Sequence, residues 1–207
     1  MPRRTKEEAA ATRKTIIEAA LTLFSEQGYA GTTLNQIAEH AGVTRGAIYW
    51  HFENKVDLFS RLVETYAGQY DQITMQAIQE GGTFLEICER VMLRPLEHFA
   101  TNPQLRAFTE LVNFRLPRIA ELEPWRAQRV EMNVQSLEVY AGFFANAIES
   151  GEIRPDLDPM ATTHAFIALQ NGLTYLFVTI GESFPIQSSS QEAARIFVRG
   201  IQDKANK

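Results

Sequence analysis

Arg45, Tyr49, Trp50 and His51 fall within seven residues, with the small Gly46 and Ala47 beside the arginine and Thr44 just before it. A cation, three flat rings and two small residues suit contact with duplex nucleic acid. Small residues let a backbone approach base edges in a major groove, a guanidinium matches the acceptors of guanine, and rings and donors reach thymine methyls and phosphates. In a helix opened by Thr44, Ile48 and Phe52 face inward and leave Arg45, Gly46, Ala47, Tyr49, Trp50 and His51 on or near the exposed side. An ordinary helical hairpin with a chance aromatic cluster shares this composition, so the pattern alone is only moderately specific.

Two further elements must position that helix. Residues 33–41 read as a helix capped by the Thr33 hydroxyl, and Gln36 three residues later completes a capping box. Leu34, Ile37, Ala38 and Ala41 lie on one face. Gly42 suits the left-handed conformation that ends a helix, and Val43 plugs the corner. Before them, Glu7 to Gln27 reads as a helix that Gly28 ends, with Ile16, Ile17, Ala20, Leu23 and Phe24 as its stripe. Ile16, Ala20, Leu23, Phe24, Leu34, Ile37, Val43, Ile48 and Phe52 would share one small core. Asn54 caps a next helix through Phe59, Leu62, Tyr66, Tyr70, Ile73 and Ala77, which Gly81-Gly82 stops. Lys55, two residues beyond the second helix of the pair, suits a phosphate at that helix N-terminus.

Hydrophobic residues make up 45% of the 207 and charged residues 22%, a soluble globular balance. Proline and glycine are sparse and strand-like alternation is hard to find, so the expected fold is all-α. The N-terminus has no apolar leader and no stretch is long and apolar enough to span a bilayer, so a cytoplasmic protein is expected. Cys88 is the single cysteine, which excludes an internal disulfide and a multi-cysteine zinc site. The net charge of −5 does not point to nucleic acid, but residues 1–55 carry seven basic and six acidic side chains, leaving the excess negative charge to the rest. Arg3, Arg4 and Lys6 precede the first helix as a tail, or as an arm along phosphates.

Beyond Gly82 the periodicity predicts five more helices. Thr83 with Glu86 opens one containing Cys88 and Val91, with a kink expected near Pro95. Asn102-Pro103 starts another that Leu116-Pro117 ends. A long one runs from Pro124 to Glu149, with Val130, Val134, Leu137, Ala141, Phe144 and Ile148 on one face. Asp158-Pro159 begins a fourth and Ser189 with Glu192 the last. Several of these are apolar on more than one face, more than a single core needs. An oligomer interface or a ligand cavity would absorb the surplus.

Residues 3–59, from Arg3-Arg4-Thr5-Lys6-Glu7-Glu8 through Gly42-Val43-Thr44-Arg45-Gly46-Ala47-Ile48-Tyr49-Trp50-His51-Phe52 to Lys55-Val56-Asp57-Leu58-Phe59, resemble the DNA-binding domain of TetR-family transcriptional repressors. The likeness is closest to AcrR-type regulators of multidrug efflux pumps. It implies a three-helix helix-turn-helix head, residues 1–53, and a six-helix body, residues 54–207, for effector binding and dimerisation. It also implies a homodimer on a palindromic operator in double-stranded DNA, released by a small hydrophobic or amphipathic effector, with no membrane partner and no cofactor. Arg45 is the expected base reader, with Tyr49 at a thymine methyl or a phosphate; Thr33, Thr44, Trp50, His51 and Lys55 are expected on the DNA backbone. The AcrR-type drug pocket maps by position to Thr109, Asn113, Tyr140, Ile167, Gln170 and Asn171. The last two helices would form a four-helix bundle with a second copy through Phe166, Leu173, Phe177, Ile196 and Phe197. The chain departs from close AcrR-type relatives after the sixth helix. Their basic, cysteine-containing motif is absent, and Asn113-Phe114-Arg115-Leu116-Pro117 stands there.

Enzyme readings find no support. His40, His51, His98 and His164 are scattered without metal-ligand spacing, and there is no nucleophile elbow or phosphate-binding glycine loop. The competing reading is an architectural or effector-independent DNA-binding protein, which would bind without discriminating sequence or responding to ligand.

Overall fold

The computed structural model describes residues 5–203. Arg3 and Arg4, expected in an arm, lie outside the described residues. Among the described residues there are nine α-helices and no strand. Among them too, no helix is long and apolar enough to cross a membrane, and no group of histidine, cysteine and carboxylate side chains could hold a metal ion. The chain divides into two compact units, Met1–Gln69 with Asn102–Trp125, and Tyr70–Thr101 with Arg126–Lys207.

In the first unit, α1 (Lys6–Gly31) starts at a capping box in which Thr5 and Glu8 exchange side-chain and backbone bonds. Sequence periodicity ends this helix at Gly28. The structure shows instead that Gly28 (φ 77°, ψ 158°) interrupts it and a further turn follows. Thr32, fully buried, places its hydroxyl 2.8 Å from the Gly28 carbonyl oxygen and 3.2 Å from that of Leu23, tying the further turn back across the break. Next come α2 (Leu34–His40), α3 (Arg45–His51) and α4 (Lys55–Gln79). Ile16, Ala20, Leu23, Phe24, Ile37, Ile48 and Phe52 are buried as expected, while Leu34 and Val43 are half-buried.

This unit also contains α6 (Pro103–Glu110), capped by Asn102, and two short turns beyond it. The expected continuous helix through Phe114 gives way to a π-helical turn, Leu111–Arg115, and Ala120–Leu122 forms a 3-10 turn. Leu105, Phe108, Leu111, Leu122 and Trp125 are buried. Phe108 stacks on Tyr66 at 5.4 Å, and Trp125 meets Phe59 edge-on at 5.1 Å.

The second unit holds α5 (Phe84–Thr101), most of α7 (Glu123–Glu149), α8 (Pro159–Ile180) and α9 (Ile186–Ile201). Its core joins Ala77, Val91, Met92, Phe144, Phe166 and Phe197, the last three rings meeting edge-on at 5.3–6.1 Å. Cys88 is buried there, and desolvation pushes its thiol up to about 12, the state of an inert core side chain. The α5 helix continues through Pro95. Proline has no N–H for the Val91 carbonyl four residues back. The Gln170 amide supplies that donor, with Nε2 3.0 Å from the Val91 oxygen and 3.4 Å from that of Met92.

Two expectations need correction in this unit. The last helix begins at Ile186 rather than at Ser189. The apolar face of α7 is covered only in part, since Val130 and Val134 are exposed, Val130 by 62%. Of the five residues expected to meet a second copy, Phe166, Leu173, Phe177 and Phe197 are buried within the protomer and only Ile196, 61% exposed, is available. The error is one of helical phase, because α8 and α9 carry apolar residues on two faces and the larger rings belong to the protomer core. Leu169, Tyr175, Leu176 and Ile180 are the exposed large apolar residues of α8. An open groove of about 450 Å³ between α8 and α9 is lined by Leu169, Ser188, Ser189, Glu192, Ala193 and Ile196.

Candidate nucleic-acid interface

Thr33 opens α2 by the expected capping box, its hydroxyl accepting from the Gln36 amide at 3.3 Å while the Gln36 side chain accepts from the Thr33 amide at 2.8 Å. At the other end Gly42 (φ 65°) reverses the chain. The Val43 amide donates to the Ala38 carbonyl and the Gly42 amide to that of Glu39, the paired bonds of a Schellman turn. The Thr44 hydroxyl accepts from the Ala47 amide at 3.2 Å and opens α3. Ile48 and Phe52 anchor α3 in the core at 0% and 1% exposure, which fixes the phase of every other residue on it.

The outward face carries Arg45, Gly46, Tyr49 and Trp50, all exposed, with Ala47 and His51 half-buried at its margins. Trp50 is 71% exposed, an indole left largely uncovered by the protomer. The His51 ring meets it edge-on at 4.5 Å. The Arg45 guanidinium lies 5.6 Å from the centre of the Tyr49 ring, which limits its swing without covering its N–H donors. A Cβ built on Gly46 would meet nothing closer than the Thr44 hydroxyl at 3.9 Å. Packing inside the protomer therefore does not require glycine there, and the absent side chain suits a close-approaching partner. Thr33 is exposed at the start of α2.

Lys55 differs from the expectation of a free cation. Its ammonium donates to the carbonyls of Tyr29 at 3.2 Å and Thr32 at 3.3 Å, and lies 4.4 Å from the centre of the Tyr29 ring. With three N–H donors it retains one for an outside acceptor. The first turn of α4 is held by Asn54, whose side-chain oxygen accepts from the Asp57 amide, while the Asp57 carboxylate accepts from the Glu53 amide. Burial, reinforced by the Glu121 carboxylate, pushes the Tyr29 phenol up and keeps it neutral under the lysine. Arg13 of α1, which the motif did not point to, lies 5.6 Å from the Phe52 ring centre and adds a cation at the end of α3. Its only sequence signal was the cluster of basic residues in α1.

The residues mapped to an effector site fall in both units. Thr109 is buried and Asn113 exposed in the first. In the second, Tyr140 is half-buried beside Phe166, and Ile167 packs on the core. Burial, with the Asp71 carboxylate adding to it, raises the Tyr140 phenol above its ordinary value. Gln170 spends its amide donors on α5 and keeps its carbonyl oxygen as an acceptor. Asn171 is exposed.

Residues 16–62 match the model of the bacterial regulatory proteins of the tetR family. The chain is 34% identical over 171 residues to the HTH-type transcriptional repressor BepR of Brucella suis, covering 82% of each chain. It is 29% identical to the HTH-type transcriptional regulator AcrR of Shigella flexneri, over 96% of this chain and 93% of that one. NalD of Pseudomonas aeruginosa, the secondary repressor of the MexAB-OprM multidrug efflux pump, superposes with a TM-score of 0.79 at 26% identity, over 95% of this chain and 98% of that one. With a capped, glycine-turned helix pair at its head and relatives matched along most of its length, the chain belongs to the tetR family of bacterial regulatory proteins.

Proposed function

We propose that the chain is a one-component repressor acting in the cytoplasm, with a DNA-binding head in residues 1–53, a regulatory body in residues 54–207 and no catalytic role. The observation that carries this reading is the face of α3, where Arg45, Gly46, Tyr49 and Trp50 point outward from a helix anchored by Ile48 and Phe52. Arg45 reads a base edge, Tyr49 reaches a thymine methyl or phosphate, and Gly46 and Ala47 allow close approach. Thr33, Thr44, Trp50, His51 and the remaining donor of Lys55 hold the DNA backbone.

One seven-residue helix supplies too few contacts for a specific site, so two copies bind a palindrome. The pairing face is the exposed side of α8 and α9, with Leu169, Leu176, Ile180 and Ile196 in place of the buried rings. A small hydrophobic or amphipathic effector binds the second unit near Tyr140, Ile167 and the free oxygen of Gln170. It favours a geometry in which α4, one unbroken helix from Lys55 to Gln79, sets the heads at the wrong spacing. Control of an efflux pump is supported by the likeness to NalD.

Footprinting of the DNA upstream of the chain's own gene, repeated with a panel of hydrophobic and amphipathic compounds, tests the reading. A palindromic protected site that one of the compounds abolishes is the expected result. Uniform, ligand-insensitive protection would instead establish the architectural alternative.

A further inference from the structure

Arg115 ends the π-helical turn Leu111–Arg115. The proposed DNA and effector contacts do not include this residue. Its Nη1 donates to the Ser25 carbonyl at 2.9 Å across ninety residues of sequence, and the Glu110 carboxylate lies 3.5 Å from its Nη2. Ser25 stands three residues before Gly28, where α1 is interrupted. A helix end presents carbonyls without intrahelical donors, together with the negative end of the helix dipole, and a guanidinium satisfies both. The Thr32 hydroxyl covers Leu23 and Gly28 at this break, and Arg115 covers Ser25. From the same end of α1, the Gln27 side chain accepts from the Gln36 side-chain amide on α2 at 3.4 Å. Arg115 therefore grips the stretch of α1 that also touches the helix-turn-helix.

We infer that Arg115 is a positioning residue for the reading head. It caps the interrupted end of α1 from the π-helical turn that follows α6, so that α6 and the helix-turn-helix move as one piece. π-Helical turns cost hydrogen-bond quality and recur where a function needs the altered register. Here the turn sets the direction in which Arg115 leaves α6.

The inference rests on the operator-binding reading, and the test separates the two. The full-length dimer is titrated with its operator and with operators whose half-sites are moved one base pair apart or together. The wild-type protein prefers the native spacing. In Arg115→Gln the side chain falls short of Ser25, and that preference shrinks on the order of tenfold, as loss of a charge-assisted hydrogen bond allows. Affinity for shuffled DNA and the circular dichroism spectrum stay unchanged. Arg115→Lys, which retains a cationic donor, restores most of the preference. An Arg115→Gln protein with wild-type spacing preference overturns the inference, as does a folded Arg115→Lys protein that fails to restore it. If Arg115→Gln does not fold, Glu110→Gln carries the test, because it frees the guanidinium while leaving it present. A smaller loss of spacing preference supports the inference and an unchanged preference overturns it. A wild-type protein indifferent to operator and shuffled DNA alike removes the repressor reading and this inference with it.

Discussion

Arg45 and Lys55 are both held against tyrosine rings, yet only one is free to read DNA. Arg45 keeps its donors outward, whereas Lys55 spends two of its three on the carbonyls of Tyr29 and Thr32. The two cations should therefore fail differently. Arg45→Ala should relax discrimination at one base pair of each half-site by about 1–3 kcal/mol, seen by titrating operators substituted at each position. Lys55→Ala should weaken all sequences alike and also lower the melting temperature. Its slope of log affinity against log salt should fall by about 0.9 for each phosphate no longer neutralised, which titrations over a salt series measure. The outward residues of α3 were legible in the sequence because Ile48 and Phe52 fix the phase of a short helix. The engagement of Lys55 was not, since its acceptors are backbone atoms 23 and 26 residues away and no side-chain pattern marks them.

At the scale of elements, caps and periodicity located the helices, while interruptions and their repairs stayed hidden. Gly28 and Pro95 were visible as breakers. The groups that compensate for them, Thr32, Arg115 and Gln170, lie on other turns or other helices. Gln170 shows the consequence for site assignment. A polar residue that positional likeness places in an effector pocket also donates to the carbonyl that Pro95 cannot serve. Gln170→Leu should cost about 1–3 kcal/mol of stability, because it leaves the Val91 oxygen without that donor in a half-buried place. Urea unfolding of the variant beside the wild-type protein measures the loss. The two-faced helices α8 and α9 misled for a related reason. With apolar residues on both sides, periodicity gives the axis of a helix but not which side its own protomer covers.

For the whole molecule, the exposed face of α8 and α9 and the outward face of α3 make one requirement, since neither head is sufficient alone. Ile196→Arg should shift the sedimentation of the protein from dimer to monomer with little change in the fold of each protomer. Phe197→Ala should instead destabilise the protomer by about 3–5 kcal/mol, because that ring sits in the core with Phe144 and Phe166. Net charge adds a constraint of its own. A chain at −5 with a nearly balanced head gains little from general attraction to DNA, so its affinity must come from oriented contacts. The most direct test is therefore a fluorescence anisotropy titration of the footprinted operator against a shuffled fragment of equal composition at physiological salt. An operator preference of about 10³ or more, saturating at two protomers per palindrome, is the expected result. Equal affinity for the two fragments would contradict it.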